Sequence, residues 1–506
     1  MSEQRAPLTE IRYRQLFAWL LLFRCAKSAA DPKKVFVSIV GLVLVAAGWV
    51  GINRLFGPLY VQDAADPQSE LYPTLALPWG KGGLLERIWL TYGDPQQQQL
   101  PLDLLPQALD NPVGFARRVA FQWDVVLTPF RELMAPFVPI FHGRYPETKL
   151  RVAPFAWMLP GTDWIVIDAG YVFHVLALAI WTVLVWGYFG GIVARIAAMA
   201  LGRDERVTLR EAITFCNKYI PSYASAPFWP LVVVAVVAFI CMIGGWLANI
   251  PYFGPLFAGA LWILPLVGGI AIMFVCLGLA IGWPLMVPTI SVEGTDAFDA
   301  VSRAYAYSLQ RPWHYLFYAL LVIVLGSIAT FITLLLTQFV VYASYWAVNW
   351  GMIDQALAQL FAWTPPFFHA MFLGVEDAAQ PEGVRAVGAG LIACWVYLAA
   401  MYGAAYVYSF FWTAATAVYL LLRRDVDATD LDEIWTEEEE EEFFFETQEQ
   451  DFGTGEQEKP EQQPATTSAA SSTPSPAADT EPSSEAPESG PSPSDSGSGG
   501  DSSNPQ

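Results

Sequence analysis

A chain of 506 residues that is 54% apolar holds that hydrophobicity in stretches of about 20 or more, long enough to cross a ~30 Å hydrocarbon core at ~1.5 Å per residue and too long for ordinary soluble elements. The formal charge of −21 belongs to residues 425–506, where 23 Asp and Glu meet one Lys, so the rest of the chain sums to about +1 and nothing marks it as a nucleic-acid binder. Five cysteines without a CxxC and four scattered histidines exclude a disulfide framework and a zinc site, and no metal or cofactor is expected.

In chain order, residues 1–34 carry Arg5, Arg12, Arg14, Arg24, Lys27, Lys33 and Lys34 and read as a basic, amphipathic cytoplasmic N-terminus, with 11–23 lying on the inner membrane surface. The first long apolar stretch begins only near Val35 and no small-residue cleavage pattern follows it, which excludes a cleavable signal. Spans are predicted at 35–56, 170–194, 230–250, 256–284, 315–346 and 387–422, as helices because lipid cannot satisfy exposed peptide groups. Residues 57–169 form an extracytoplasmic loop. Within it, 112–141 looks helical, but Asp124, Arg131 and Glu132 argue against a further span; a small helical layer on the outer membrane face is expected.

Positive charge sets the orientation. Arg195, Arg203, Arg206, Arg210 and Lys218 follow the second span, Arg303 and Arg311 lie between the fourth and fifth, and Arg423 and Arg424 follow the last. On the other side the turn 249–254 has no Lys or Arg and the loop 347–386 has only Arg385, which places both termini in the cytoplasm. Segments 195–229 and 285–314 are then cytoplasmic and amphipathic, 230–284 and 315–422 are transmembrane hairpins, and 423–506 is an acidic tail. From about 453 that tail is Ser, Pro, Glu, Gly, Gln and Ala, which predicts disorder.

The two amphipathic segments resemble one another. TLREAITFCNKYIPSYASAPFWP (208–230) aligns with DAFDAVSRAYAYSLQRPWHY (296–315) across one three-residue gap, and each precedes a span and a returning span. Thr208 and Glu211 form a capping box, and Asp296 and Asp299 take the same two positions, so Asp296 and Asp299 read as helix caps rather than, with Glu293 and His314, as an acid–base or metal cluster. Leu209, Ile213, Cys216 and Ile220 form one apolar stripe; Phe298, Val301, Tyr305 and Leu309 form its counterpart. The fold class is an all-α polytopic integral membrane protein: six transmembrane helices, two cytoplasmic interfacial helices and a disordered acidic C-terminal tail.

Candidate sites are few. Asp168 and His174 enter the second span as a polar membrane site, or His174 bonds a neighbouring helix. Pro265, Gly268 and Gly269 in LWILPLVGGIAI would break a helix and line a transport path, or only kink it. Gly187-x-x-x-Gly191, Gly278-x-x-x-Gly282 and Ala399-x-x-x-Gly403 are small-residue contact faces, open also to a homo-oligomer interface. Ile434, Trp435 and Phe443, Phe444 and Phe445 in the acidic stretch read as a docking motif for a cytoplasmic protein, or as a solvated spacer. No Walker loop, dinucleotide fingerprint, HExxH or GxSxG occurs, so no catalytic residue is assigned and an enzyme is not expected.

GGIVARIAAMALGRDERVTLREAITF (190–215) and GWPLMVPTISVEGTDAFDAVSRAYAYSLQRPWHYLFYALL (282–321) resemble uncharacterised multi-pass membrane proteins of planctomycete bacteria, over about 170–346. The repeat more loosely resembles membrane domains of unknown role found beside glycerophosphodiester phosphodiesterases. The resemblance implies a bacterial cytoplasmic membrane and carries over no site residue. The expectation is a non-enzymatic protein that organises the membrane or recruits a partner, bound to the bilayer and through its tail to a cytoplasmic protein. The alternative is a transporter or channel for a small or amphiphilic molecule, and a lipid-active enzyme comes third.

Overall fold

A computed structural model describes residues 18–56, 83–93, 99–134, 169–352, 354–369, 371–372, 375 and 378–436. They belong to one unit, residues 1–439; residues 440–506 form a second unit. The expected disorder of the tail, the segment Phe443–Phe445 and Asp168 lie outside the described residues.

The described residues form helices and connections without a strand. In chain order these are α1 (Leu21–Ala29), α2 (Pro32–Phe56), five short helices α3 (Leu84–Leu90), α4 (Leu105–Asp110), α5 (Pro112–Ala120), α6 (Trp123–Val126) and α7 (Thr128–Met134), then α8 (Ala169–Ala198), which runs into a π turn, Met199–Arg203. There follow α9 (Leu209–Lys218), α10 (Ile220–Ser225), α11 (Phe228–Ala248), α12 (Phe253–Ala260), α13 (Ile263–Glu293), α14 (Ala297–Gln310), α15 (Pro312–Asn349), α16 (Asp354–Phe361), α17 (Pro366–His369) and α18 (Val384–Asp427). Six of them are long and apolar enough to cross a membrane: α2, α8 with its π turn, α11, α13, α15 and α18. The fold is therefore all-α and of membrane type.

α18 is the central post. It packs on α1, α2, α8, α13 and α15, and its residues from Gly403 to Leu422 are buried without a break. The small-residue faces let its neighbours close in. Any side chain at Gly190 would meet the Trp412 ring, at Gly326 the Phe410 ring, and at Gly403 the side chain of Leu334. Gly187 and Gly191 receive Tyr223, and Gly278 and Gly282 receive α14 through Tyr305 and Ala304.

In the described part of the first loop, short helices pack on α15 and α18. Tyr92 donates to the Ser327 carbonyl at 2.6 Å, and Ser327 Oγ, near the middle of the 38-residue α15, accepts from Gln122 N at 3.1 Å and donates to the Val119 carbonyl at 2.7 Å. Trp89 Nε1 donates to the Ala400 carbonyl at 3.2 Å, and Leu102 N to Gln338 at 2.8 Å. The charges that rule out a span are instead paired, Arg87 with Glu132 and Arg131 with Asp124, each at 2.8 Å. Non-spanning backbone is tolerated among transmembrane helices where protein groups satisfy it.

Pro265, Gly268 and Gly269 lie in the first two turns of α13. Pro265 falls in its first turn, where a missing N–H costs nothing, and Gly268 faces Cys241 and Val237 of α11. The prolines inside α13 are Pro284 and Pro288, both in its packed C-terminal half.

Candidate functional site

The C-terminal ends of α8, α13 and α18 meet α9, α14 and a returning strand of chain, residues 428–436. α13 ends because Gly294 takes a left-handed conformation, φ 63°, and donates its N–H to the Ile290 carbonyl. That stop points Glu293 inward, its side chain only 7% exposed. Arg303 Nη1 of α14 approaches Oε2 at 2.5 Å, Arg423 Nε of α18 approaches Oε1 at 3.2 Å, and the Tyr419 hydroxyl donates to Oε1. Both carboxylate oxygens are thus engaged by guanidinium or phenol donors. The carboxylate therefore clamps the end of α13 to α14 and α18.

Around this clamp, arginines hold the returning segment by its backbone. Arg195 donates to the Ser291 carbonyl at 2.9 Å and the Trp435 carbonyl at 2.8 Å, with its guanidinium 4.0 Å from the Phe215 ring centroid. Arg203, in the π turn, donates to the carbonyls of Asp432 at 3.0 Å and Ile434 at 2.7 Å. Arg423 donates to the Glu433 carbonyl at 2.5 Å, and Trp435 N donates to the Val292 carbonyl at 3.0 Å. Gly202 lets this segment approach, because a Cβ there would meet the Leu431 carbonyl and the Ile434 side chain. The acidic side chains of Asp432 and Glu433 stay exposed. An open cavity of about 750 Å³ remains, lined by Glu293, Thr295, Arg303, Arg423 and Trp435 among others, and Thr295 Oγ1 is buried there without a partner.

Below the clamp, Tyr223 shares a hydrogen bond with Ser291 at 2.8 Å, and Cys216 contacts the Tyr223 hydroxyl at 3.9 Å. Burial pushes the Cys216 thiol up to about 12 and raises the Tyr223 phenol, so neither is a nucleophile near neutrality. Among the described residues, no three His, Cys, Asp or Glu side chains gather to hold a metal ion.

The sequence candidates fall as follows. Thr208 Oγ1 accepts from Glu211 N at 3.3 Å, and Glu211 accepts from Thr208 N at 3.1 Å. Asp296 accepts from Asp299 N at 2.8 Å, while Asp299 pairs with Arg303 at 2.9 Å. His174 and Asn53 share a hydrogen bond of 2.8 Å that ties α8 to α2. His314 lines a different cavity from Glu293. Ile434 and Trp435 are not a free docking motif: Ile434 is buried, and Trp435 packs on Phe215 and Tyr219 with ring centroids 5.7 and 6.0 Å away. Glu293 was weighed only beside Asp296, Asp299 and His314, and Arg195, Arg203 and Arg423 only as orienting charges; their convergence on one another and on 428–436 escaped the sequence reading. The signal was an Ile-Trp pair that begins seven residues beyond the end of α18, which demands burial somewhere.

Comparison of the chain with protein-family models, with curated proteins and with solved structures gives no match.

Proposed function

We propose that the protein is a non-enzymatic component of the bacterial cytoplasmic membrane, with both termini in the cytoplasm, that organises the inner face and recruits a cytoplasmic protein through its acidic tail. The observation that carries this reading is the fastening of residues 428–436. Three arginines, Arg195, Arg203 and Arg423, fix the root of the tail onto the ends of α8, α13 and α18. A tail held at its root presents everything after Thr436 from one place, at lower entropic cost to a partner than a tail free from Arg424 onward. The recruiting motif is then beyond 436, with Phe443, Phe444 and Phe445 its apolar part, since Ile434 and Trp435 are spent on the root.

The same end of the bundle collects Lys33, Lys34, Arg195, Arg203, Arg303, Arg423 and Arg424, which supports placing it in the cytoplasm. The repeat helices fit the inner interface from both sides. α14 buries Ala297, Ala300, Ala304 and Tyr307 against the bundle, while Phe298 on its other face is 66% exposed and Leu309 is exposed as well.

The test is affinity capture from gently solubilised membranes, comparing the full chain with chains ending at Thr436 and at Arg424. Cytoplasmic partners should vanish already with the chain ending at Thr436. If that chain holds the same partners, the tail does not recruit them and this reading fails.

One observation favours the transport alternative. The Arg87–Glu132 pair, with Glu132 buried, sits on short helices packed against α8 and α18, and ionisable groups among transmembrane helices often mark ion paths. That moves the transport reading away from Pro265 and Gly268. Under it, Glu132→Gln would change flux in vesicles while the tail truncations would not.

A further inference from the structure

A second cavity, of about 490 Å³, opens where α15 begins, between the N-terminal turn Ala18–Leu20 and the end of α18. Its walls are Trp19, Trp313, Phe317, Tyr318, Arg424 and Asp425, with His314 beside them. The volume lies within the roughly 300–1,000 Å³ of small-molecule pockets. From it the geometry points to a binding site for the headgroup of a zwitterionic phospholipid, one that carries a phosphate and an ammonium.

Each half of such a headgroup meets its own chemistry. For the phosphate there is the Arg424 guanidinium, and the positive end of the 38-residue α15, which Pro312 opens and whose first turn forms the wall at Trp313 and His314. For the ammonium there are four aromatic rings and a carboxylate. Trp19 and Phe317 meet edge to face at 6.4 Å, Phe317 and Tyr318 lie 5.8 Å apart, and the Tyr318 hydroxyl donates to Asp425 Oδ2 at 2.8 Å, which orients the carboxylate. Rings beside a carboxylate attract a cation by quadrupole and by charge. Adjacent positive and negative walls in one cavity complement a zwitterion better than a headgroup of one sign.

The occupant is a lipid rather than a free phosphoammonium compound because of what surrounds the opening. Trp313 is 79% exposed, and Leu316, Phe317 and Leu320 are exposed along the same helix, so the cavity continues into an apolar surface on which acyl chains can lie. The position, at the start of the apolar run of α15, is that of headgroups at a bilayer surface.

The test uses the full chain in detergent micelles, with native mass spectrometry counting retained dihexanoyl-phosphatidylcholine, -phosphatidylethanolamine and -phosphatidylglycerol, each competed with glycerophosphocholine. The zwitterionic lipids should be retained at least about fivefold better than phosphatidylglycerol, and Trp313→Ala should remove about fivefold of that retention, the size of one cation–ring contact. Asp425→Asn should lose ammonium selectivity, whereas Tyr318→Phe, which keeps the ring, should lose less. Choline preferred over ethanolamine would assign selectivity to the rings, and the reverse to Asp425; either upholds the site. Equal retention of phosphatidylglycerol, or unchanged retention in Trp313→Ala, overturns it. Displacement by glycerophosphocholine at equal concentration overturns the lipid as its source. Because the Trp313 side chain is largely outside the core, its replacement reads binding rather than folding.

Discussion

Glu293 shows how much one side chain can depend on partners far away in the chain. Its carboxylate is met by Arg303, ten residues on, and by Tyr419 and Arg423 from the far end of the sequence. Removing it leaves two guanidiniums without their shared carboxylate on the wall of the open cavity. Breaking a fully buried pair costs roughly 3–5 kcal/mol, but Arg303 keeps Asp299 and reaches solvent, so Glu293→Ala should cost about 2–3 kcal/mol in denaturant unfolding in micelles. Glu293→Asp, too short to reach both arginines, should recover only part of it. A second residue-scale effect concerns pH. Burial holds the thiols of Cys25 and Cys216 near 12 against an ordinary value of 9.0. In the unfolded chain they ionise first, so their contribution is fully present below about pH 9 and is lost as pH rises from there through about 12. Stability should therefore fall with alkalinity, and the fall should be shallower in Cys25→Ala/Cys216→Ala than in the unaltered chain. The caps at Thr208 and Asp296 were legible because a cap is a local pattern of four residues. The Glu293 clamp was not, since its partners converge only once α13, α14 and α18 have packed.

At the scale of elements, the pairing of α13 with α14 turns on two glycines. The Tyr305 ring lies where a Cβ of residue 278 would sit, and its hydroxyl donates to the Val275 carbonyl at 2.8 Å. Gly278→Leu should push the ring out and break that bond, at a cost of about 1–3 kcal/mol typical of overpacking. Amide hydrogen exchange should then quicken across 297–310, while α2, which packs on α8 and α18, keeps its protection; unchanged exchange in α14 would mean the contact carries little. Sequence patterns identified the small-residue faces as contact faces, because spacing of four on a helix is visible in one dimension. They could not say which helix comes near. The packing of the short helices α3 to α7 was hidden for a related reason: their paired charges resemble solvated surface until Arg87 meets Glu132 and Arg131 meets Asp124.

At the scale of the whole molecule, the long helices were readable from length and hydrophobicity alone, whereas the end of the folded unit was not. Composition places the boundary at Arg424, where the apolar run stops. The packing carries it past Arg424 through Trp435, because backbone carbonyls of 432, 433, 434 and 435 occupy Arg203, Arg423 and Arg195 and the Ile434 side chain is buried. Hydrogen bonds to charged donors contribute roughly 1.5–3 kcal/mol each, and burying an Ile roughly 1.5–3 kcal/mol more, against about 1–2 kcal/mol per residue of chain ordered. These terms nearly cancel over a free segment, but their loss is one-sided: a chain cut at Arg424 leaves the partly buried Arg195 with one fewer acceptor and opens the Gly202 face. Shortening the protein to Thr436 should leave its thermal midpoint in micelles within about 1 °C, and shortening it to Arg424 should lower the midpoint by at least about 4 °C. Equal midpoints for the two truncations would show that 428–436 merely rests on the bundle. A drop already at Thr436 would place stabilising contacts in 437–506, and the tail would then be part of the fold rather than something the fold displays.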